Sequence, residues 1–272
     1  MAEPLLVATD LVVAYPSRRR VLWRAPPPAP ILKGIDITVD RGETVGIVGE
    51  SGSGKTTLGR VLLGLLKPLS GAVTFDGKPL MRDERRLRPL RRRMQMIFQD
   101  PMSSLNPRHT VGRILAGPAR LHGLAADRKA AAVLVADVLG QVGLPVATVA
   151  RYPHELSGGQ RQRVGIARAA ILKPDFVVAD EIVSGLDVST QAQVLQMLRD
   201  LRQEMGLALA FISHDLAVVR SMCDRVYVMQ DGVVVEEDEC GKLFAAPKAA
   251  YTRELIDAIP LPVRDPGWLK GS

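Results

Sequence analysis

Thr44-Val45-Gly46-Ile47-Val48-Gly49-Glu50-Ser51-Gly52-Ser53-Gly54-Lys55-Thr56 reads as a short buried strand that runs into a glycine-rich turn and out into a helix. Its second part, Gly49 to Thr56, fits GxxxxGK[ST], and the flanking strand and amphipathic segment supply the context that a phosphate-binding loop requires. The glycines let backbone N–H groups turn inward on phosphate oxygens, and the following helix aims the positive end of its dipole at them. In such a loop Lys55 neutralises the β- and γ-phosphates of ATP and the Thr56 hydroxyl binds Mg²⁺. Glu50, Ser51, Gly52, Ser53, Gly54 and Thr57 complete the expected nucleotide-binding set. The helix is expected from Thr56 to Lys67, because Leu58, Val61, Leu62 and Leu65 share one face and Pro68 stops it.

Downstream, Phe176-Val177-Val178-Ala179-Asp180-Glu181 is an apolar strand ending in two carboxylates, at the edge where doubly wound sheets bind ligands. Given the phosphate loop, Asp180 is expected to hold Mg²⁺ through a water, and Glu181 to orient or deprotonate an attacking water. Leu156-Ser157-Gly158-Gly159-Gln160 precedes Val164, Ile166, Ala167, Ala170 and Ile171 at helical spacing. Ser157 is a natural N-cap and the glycines bare the helix start, which predicts a second anion site.

Outward from these motifs, strands are expected at Pro4–Tyr15, in two stretches over 31–48, and at Leu207–Ser213, with a hairpin Val226–Val235 turning at Asp231-Gly232. Helices are expected from Thr190 to Met205 and throughout the Ala- and Leu-rich region Thr110–Gly143, a helical subdomain. Strands alternating with helices imply an α/β fold with a mostly parallel sheet. The Pro- and Arg-rich insertion 16–30 cannot be core, and residues 260–272 read as a tail.

The chain has 272 residues, 47% of them apolar, enough for one large domain or a domain with a subdomain. Its net charge of +7 favours an anionic partner. Cys223 and Cys240, with no CxxC pair, support neither a zinc site nor a disulfide framework and fit a reducing cytosol. No run of 18 apolar residues and no signal-peptide pattern appears, so the chain is expected neither to cross a membrane nor to be exported by itself.

With its Leu156–Gln160 signature, the sequence resembles the ABC ATPase family. The resemblance implies a P-loop NTPase core with a mostly parallel sheet, an antiparallel β subdomain and a helical subdomain inserted at about 103–172, all within an ATPase domain spanning 1–259. It assigns Tyr15 to stacking on adenine, although a core strand tyrosine is an open alternative. Gln99 matches the glutamine that senses Mg²⁺ and γ-phosphate and marks where a membrane subunit docks, Asp187 lies in the D-loop Ser184–Asp187, and His214 matches the switch histidine. The catalytic set is then Lys55, Gln99, Glu181 and His214, and the Mg²⁺ set Thr56, Gln99 and Asp180. Ile182 and Gly185 depart from the family's usual Pro and Ala, which frees backbone.

Asp100–Arg108, Asp187–Leu195 and Tyr251–Leu255 are similar to the oligopeptide, dipeptide and nickel importer branch. That similarity implies a second, related ATPase subunit, transmembrane permease subunits and, indirectly, an extracytoplasmic solute-binding protein, with this chain peripheral at the cytoplasmic face of the bacterial inner membrane. In the implied head-to-tail dimer, ATP lies between Lys55, Asp180, Glu181 and His214 of one chain and Ser157 to Gln160 of its partner. The run Arg82, Arg85, Arg86, Arg88, Arg91, Arg92, Arg93 is the main support for an alternative, an ABC-type ATPase acting on nucleic acid or ribosomes. It lacks interleaved aromatics and is expected to be a solvated or headgroup-facing surface, so no nucleic acid partner is expected.

Overall fold

The computed structural model describes residues 3–15, 29–80, 84–100 and 104–259. Nearly all of the insertion, the tail and Arg82 lie outside the described residues. Among the described residues, ten strands form two sheets. The first is antiparallel, in the order β2 (Leu32–Val39), β1 (Leu6–Val13), β4 (Ser70–Phe75), β5 (Lys78–Pro79). The second runs β10 (Val233–Glu239), β9 (Arg225–Gln230), β3 (Thr44–Val48), β8 (Ala208–Ile212), β7 (Phe176–Asp180), β6 (Met94–Ile97), and only the β9–β10 pair in it is antiparallel. The expected parallel core and antiparallel subdomain are both present.

Because side chains alternate across a strand, the parallel sheet serves two cores. Val45 and Ile47 of β3, Phe176 and Val178 of β7, and Ala208, Ala210 and Ile212 of β8 pack with the antiparallel sheet and with α1 (Lys55–Leu62). Val177, Ala179, Leu209 and Phe211 face the opposite core, which they share with the helical region. That region comprises α3 (Val111–Leu121), α4 (Arg128–Gln141) and α5 (Gly158–Ala170), preceded in the chain by α2 (Glu84–Arg93). Helices α6 (Val188–Met205), α7 (Leu216–Met222), α8 (Cys240–Ala245) and α9 (Ala250–Asp257) complete the described α-helices. Ile182 is 1% exposed within the helical-side core, so the residue that replaces the usual proline does packing work.

Helix α1 stops at Leu62, short of Lys67. Gly64 adopts φ +66, Leu65 N–H donates to Arg60 O and Gly64 N–H to Val61 O, the bond pair of a glycine C-terminal closure. Pro68 therefore lies beyond a helix that has already ended, and Leu65 is 49% exposed rather than part of the buried face.

Charged clamps join the two sheets. Arg225 bonds both Glu43 oxygens, at 2.9 and 3.0 Å, and reaches Thr38 of β2, a bidentate arrangement with geometric specificity. Arg93 pairs with Asp76 at 2.8 Å and also with Asp175, and lies 5.0 Å over the Phe75 ring. The last arginine of the basic run is thus a structural clamp and not a solvated face. No helix among the described residues is long and apolar enough to cross a membrane.

Candidate functional site

The parallel register brings the motifs to one sheet edge. Ile212 of β8 pairs with Ile47 of β3 on one side and with Asp180 of β7 on the other, while Ile97 of β6 pairs with Ala179. With strands about 4.8 Å apart, the loops following Val48, Ile97, Asp180 and Ile212 emerge side by side.

The first of these is the phosphate loop. Gly49 sits at φ +147, and a Cβ there would lie 2.0 Å from the Met229 carbonyl oxygen, so the backbone passes where no side chain fits. Lys55 is 5% exposed, and its Nζ donates to the carbonyls of Gly49 and Glu50, each at 2.7 Å, and to Ser53 Oγ at 3.4 Å. Burial holds its pKa below the ordinary lysine range, against the pull of Glu181, Asp180 and Glu50. The Thr56 hydroxyl donates to Asp180 Oδ1 at 3.1 Å. Asp180 is 4% exposed, and its pKa is raised, chiefly by burial and further by Glu181, while the Thr56 bond opposes the rise.

A second group forms around Glu181. Gln99 Nε2 donates to its Oε2 at 2.8 Å, and His214 Nδ1 lies 3.5 Å from its Oε1. Glu181 adopts φ +47, which costs a non-glycine residue about 1–2 kcal/mol. Its N–H is tied to Ile212 O at 2.9 Å, which holds the strained backbone in place. A cleft of about 140 Å³ opens beside it, lined by Glu181, Ser184, Gly185, Gln191, Ser213 and His214. Tyr15 lies at the other flank, 40% exposed, its hydroxyl 3.4 Å from Thr57 Oγ1. Such a ring is not a core residue.

The signature residues form a separate cluster. Ser157 Oγ accepts Gln160 N–H at 3.3 Å while Gln160 Oε1 accepts Ser157 N–H at 3.1 Å, the reciprocal capping box of α5. A Cβ on Gly159 would fall 2.5 Å from Thr190 Cγ2, whereas one on Gly158 would meet nothing within 4 Å. Asp187 caps α6, accepting from Thr190 N–H at 2.9 Å, Thr190 Oγ1 at 2.7 Å and Ser189 Oγ at 2.6 Å, and these donors hold its carboxylate well below the usual range. Among the described residues, no hydrogen bond links Ser157–Gln160 to the phosphate loop or to Glu181. Gly185, at φ +76, takes a conformation that the usual alanine would resist.

The donor set suits Mg²⁺. Thr56 and Asp180 bring a hydroxyl and a carboxylate together, 3.1 Å apart. Mg²⁺ characteristically takes one or two protein oxygens and keeps several waters. One contact was not legible from the sequence: Tyr251 OH, on α9, accepts the Glu50 N–H at 3.0 Å.

Comparison with known proteins points to one family. The family model described as ABC transporter matches residues 32–184. A putative peptide import ATP-binding protein of Brucella ovis is 50% identical over 96% of this chain and 80% of its own length. A putative oligopeptide transport ATP-binding protein of Bacillus subtilis, YkfD, is 45% identical over 95% of this chain and 77% of its own. Among solved structures, the ATP-binding cassette MJ0796, described as a dimeric post-hydrolysis state bound to ADP and Pi, superposes with a TM-score of 0.77 at 28% identity, over 86% of this chain and 98% of that one.

Proposed function

The chain belongs to the ABC transporter family, and from that premise we propose that it is the ATP-hydrolysing subunit of a membrane importer for peptides or a similar small solute. The observation that carries the reading is the convergence of Lys55, Thr56–Asp180 and the Gln99–Glu181–His214 group on one sheet edge. The resemblance to peptide import and oligopeptide transport proteins suggests the cargo class.

In this reading Lys55 and the N–H groups at the start of α1 bind the phosphates, and Tyr15 offers its exposed ring to the base. Thr56 and Asp180 hold Mg²⁺, which when bound neutralises charge on the phosphate oxygens. Glu181 takes a proton from the attacking water as the water oxygen bonds to the γ-phosphorus and the bond to the β-phosphate oxygen breaks. Gln99 and His214, already in contact with that carboxylate, orient it. Ser157 to Gln160 of a second ATPase subunit close the site from the far side of the nucleotide, and hydrolysis reopens the pair to move permease subunits that dock near Gln99. A groove of about 780 Å³ lined by Arg113, Arg120, Arg128 and Arg168 lies in the helical region that follows Gln99. With such partners the chain would sit peripherally at the cytoplasmic face of the inner membrane. The reading as a nucleic-acid or ribosome ATPase is not favoured, because the relatives are named for peptide import or oligopeptide transport and the last arginine of the basic run is engaged in ion pairs.

The test is Mg²⁺-dependent phosphate release. Lys55→Ala is expected to weaken nucleotide binding, and Glu181→Gln to keep binding while losing roughly a hundredfold or more in turnover. A Glu181→Gln chain that hydrolyses ATP at the wild-type rate refutes the assignment of the base.

A further inference from the structure

Helix α9 meets the phosphate loop at its first turn. Tyr251 OH accepts the Glu50 N–H at 3.0 Å, and the Glu50 carbonyl accepts Lys55 Nζ at 2.7 Å. The same residue is thus held at its N–H by a distant helix and at its carbonyl by the lysine of the motif. Tyr251 is 9% exposed and its ring packs against the helical-side core, so its hydroxyl is the polar end of a buried side chain.

The helix is itself fastened. Glu236 of β10, 7% exposed, accepts the N–H groups of Lys248 at 2.8 Å and Ala249 at 2.9 Å, the residues leading into α9. Lys248 also pairs with Asp238, two residues further along β10, at 2.7 Å. These bonds have charged partners, which makes them stronger than neutral ones. A continuous path therefore runs from β10 through Glu236, the start of α9 and Tyr251 to the Glu50 peptide on which Lys55 rests. Residues 233–259 all lie beyond the stretch matched by the family model, which ends at 184.

We propose that Tyr251 is a positioning residue of the nucleotide site, its hydroxyl fixing the Glu50 peptide of the phosphate loop, and that Glu236 acts through it by anchoring the helix that carries it. The proposal rests on the reading of Gly49–Thr56 as the nucleotide-binding loop. Removing the hydroxyl leaves a loop N–H without its protein acceptor and frees the peptide to rotate, so the loop must be reordered each time nucleotide binds.

The experiment uses the whole chain as wild type, Tyr251→Phe, Glu236→Gln, the double variant and Lys55→Ala. It measures the dissociation constant of a fluorescent ATP analogue with Mg²⁺, steady-state KM and kcat, and the melting temperature without nucleotide. Tyr251→Phe keeps the ring and its packing, and is expected to raise the dissociation constant and KM roughly fivefold to tenfold, the range for one lost hydrogen bond at a buried group. Turnover at saturating ATP should stay within about twofold, because the residue touches no reacting atom. Glu236→Gln should act in the same direction, and the double variant should bind no worse than Tyr251→Phe alone, since both changes break one path. Three results overturn the proposal: wild-type affinity in Tyr251→Phe, additive losses in the double variant, or an affinity loss that only follows a fall in melting temperature. If the wild type binds no nucleotide and Lys55→Ala changes nothing, the functional reading itself fails. Wild-type binding that Lys55→Ala abolishes and Tyr251→Phe leaves intact sinks this proposal alone.

Discussion

Gly158 and Gly159 are adjacent, yet the structure assigns them opposite tolerances. A Cβ on Gly159 would stand 2.5 Å from Thr190 Cγ2, against an optimal carbon–carbon separation of about 3.5–4.0 Å, so something must move by more than an ångström. Thr190 is poorly placed to yield, because its hydroxyl and N–H are both bonded to Asp187, at 2.7 and 2.9 Å. Overpacking of this kind costs about 1–3 kcal/mol, while replacing glycine by alanine in a helix returns roughly 0.5–1 kcal/mol. Gly159→Ala should therefore melt several degrees lower, at roughly 2–4 °C per kcal/mol for a domain of this size. Gly158→Ala, with open space around its Cβ, should melt at or slightly above the wild-type temperature. Thr190→Ser keeps the hydroxyl that bonds Asp187 and deletes the clashing methyl, so Gly159→Ala combined with Thr190→Ser should recover most of the lost stability. Thermal unfolding of the four variants, with ATP hydrolysis measured alongside, separates packing from ligand contact. Hydrolysis that stays low in the refolded double variant assigns the remaining loss to the nucleotide side of the glycine. Equal melting shifts for Gly158→Ala and Gly159→Ala, or no recovery with Thr190→Ser, refute the packing argument.

Asp180 links stability to pH. Its folded pKa is raised above the unfolded value, chiefly by burial, so above about pH 4 the folded chain binds more protons than the unfolded one and stability falls as pH rises through that window. Asp180→Asn should then melt above the wild type at pH 7, with the gap closing toward pH 4, while hydrolysis is lost; identical melting curves at pH 7 contradict this. Tyr15→Phe should bind nucleotide almost as the wild type does and Tyr15→Ala should lose roughly 1–3 kcal/mol of affinity, and equal binding by both variants removes the ring from the site. Mixing a Lys55→Ala chain with a Gly158→Asp chain allows one intact composite site in a self-dimer, so part of the ATPase activity should return in the mixture. A wild-type rate per molecule that is independent of concentration argues for a site built within one chain.

The motif-bearing strands were legible because their chemistry is local. A buried strand ending in glycines, or in two carboxylates, states its own position on the sheet edge, and β3 and β7 lie where that pattern puts them. The end of α1 is not legible in the sequence because Pro68 is the louder signal, whereas the chain already turns at Gly64. The basic run illustrates a different limit: Arg93 looks like its neighbours in sequence, and only the placement of Asp76, Asp175 and Phe75 makes it a clamp. Tyr251 and Glu50 are 201 residues apart, and no local pattern announces a bond whose existence depends on where a late helix docks. Resemblance alone singled out Gln99 and His214, since a glutamine or a histidine after a strand carries no signal of its own, and their pairing with Glu181 is visible only in the structure.

With its ammonium bonded to the carbonyls of Gly49 and Glu50, Lys55 closes the very loop it belongs to. The shape of that loop is then a product of folding and is preorganised before any phosphate arrives. In the proposed nucleotide site, capture would then be an exchange in which the ammonium trades carbonyl partners for phosphate oxygens, so that little ordering entropy would oppose the encounter. Association should therefore run at the rate of unhindered docking, and differences in affinity among loop variants should appear mainly as differences in how fast nucleotide leaves.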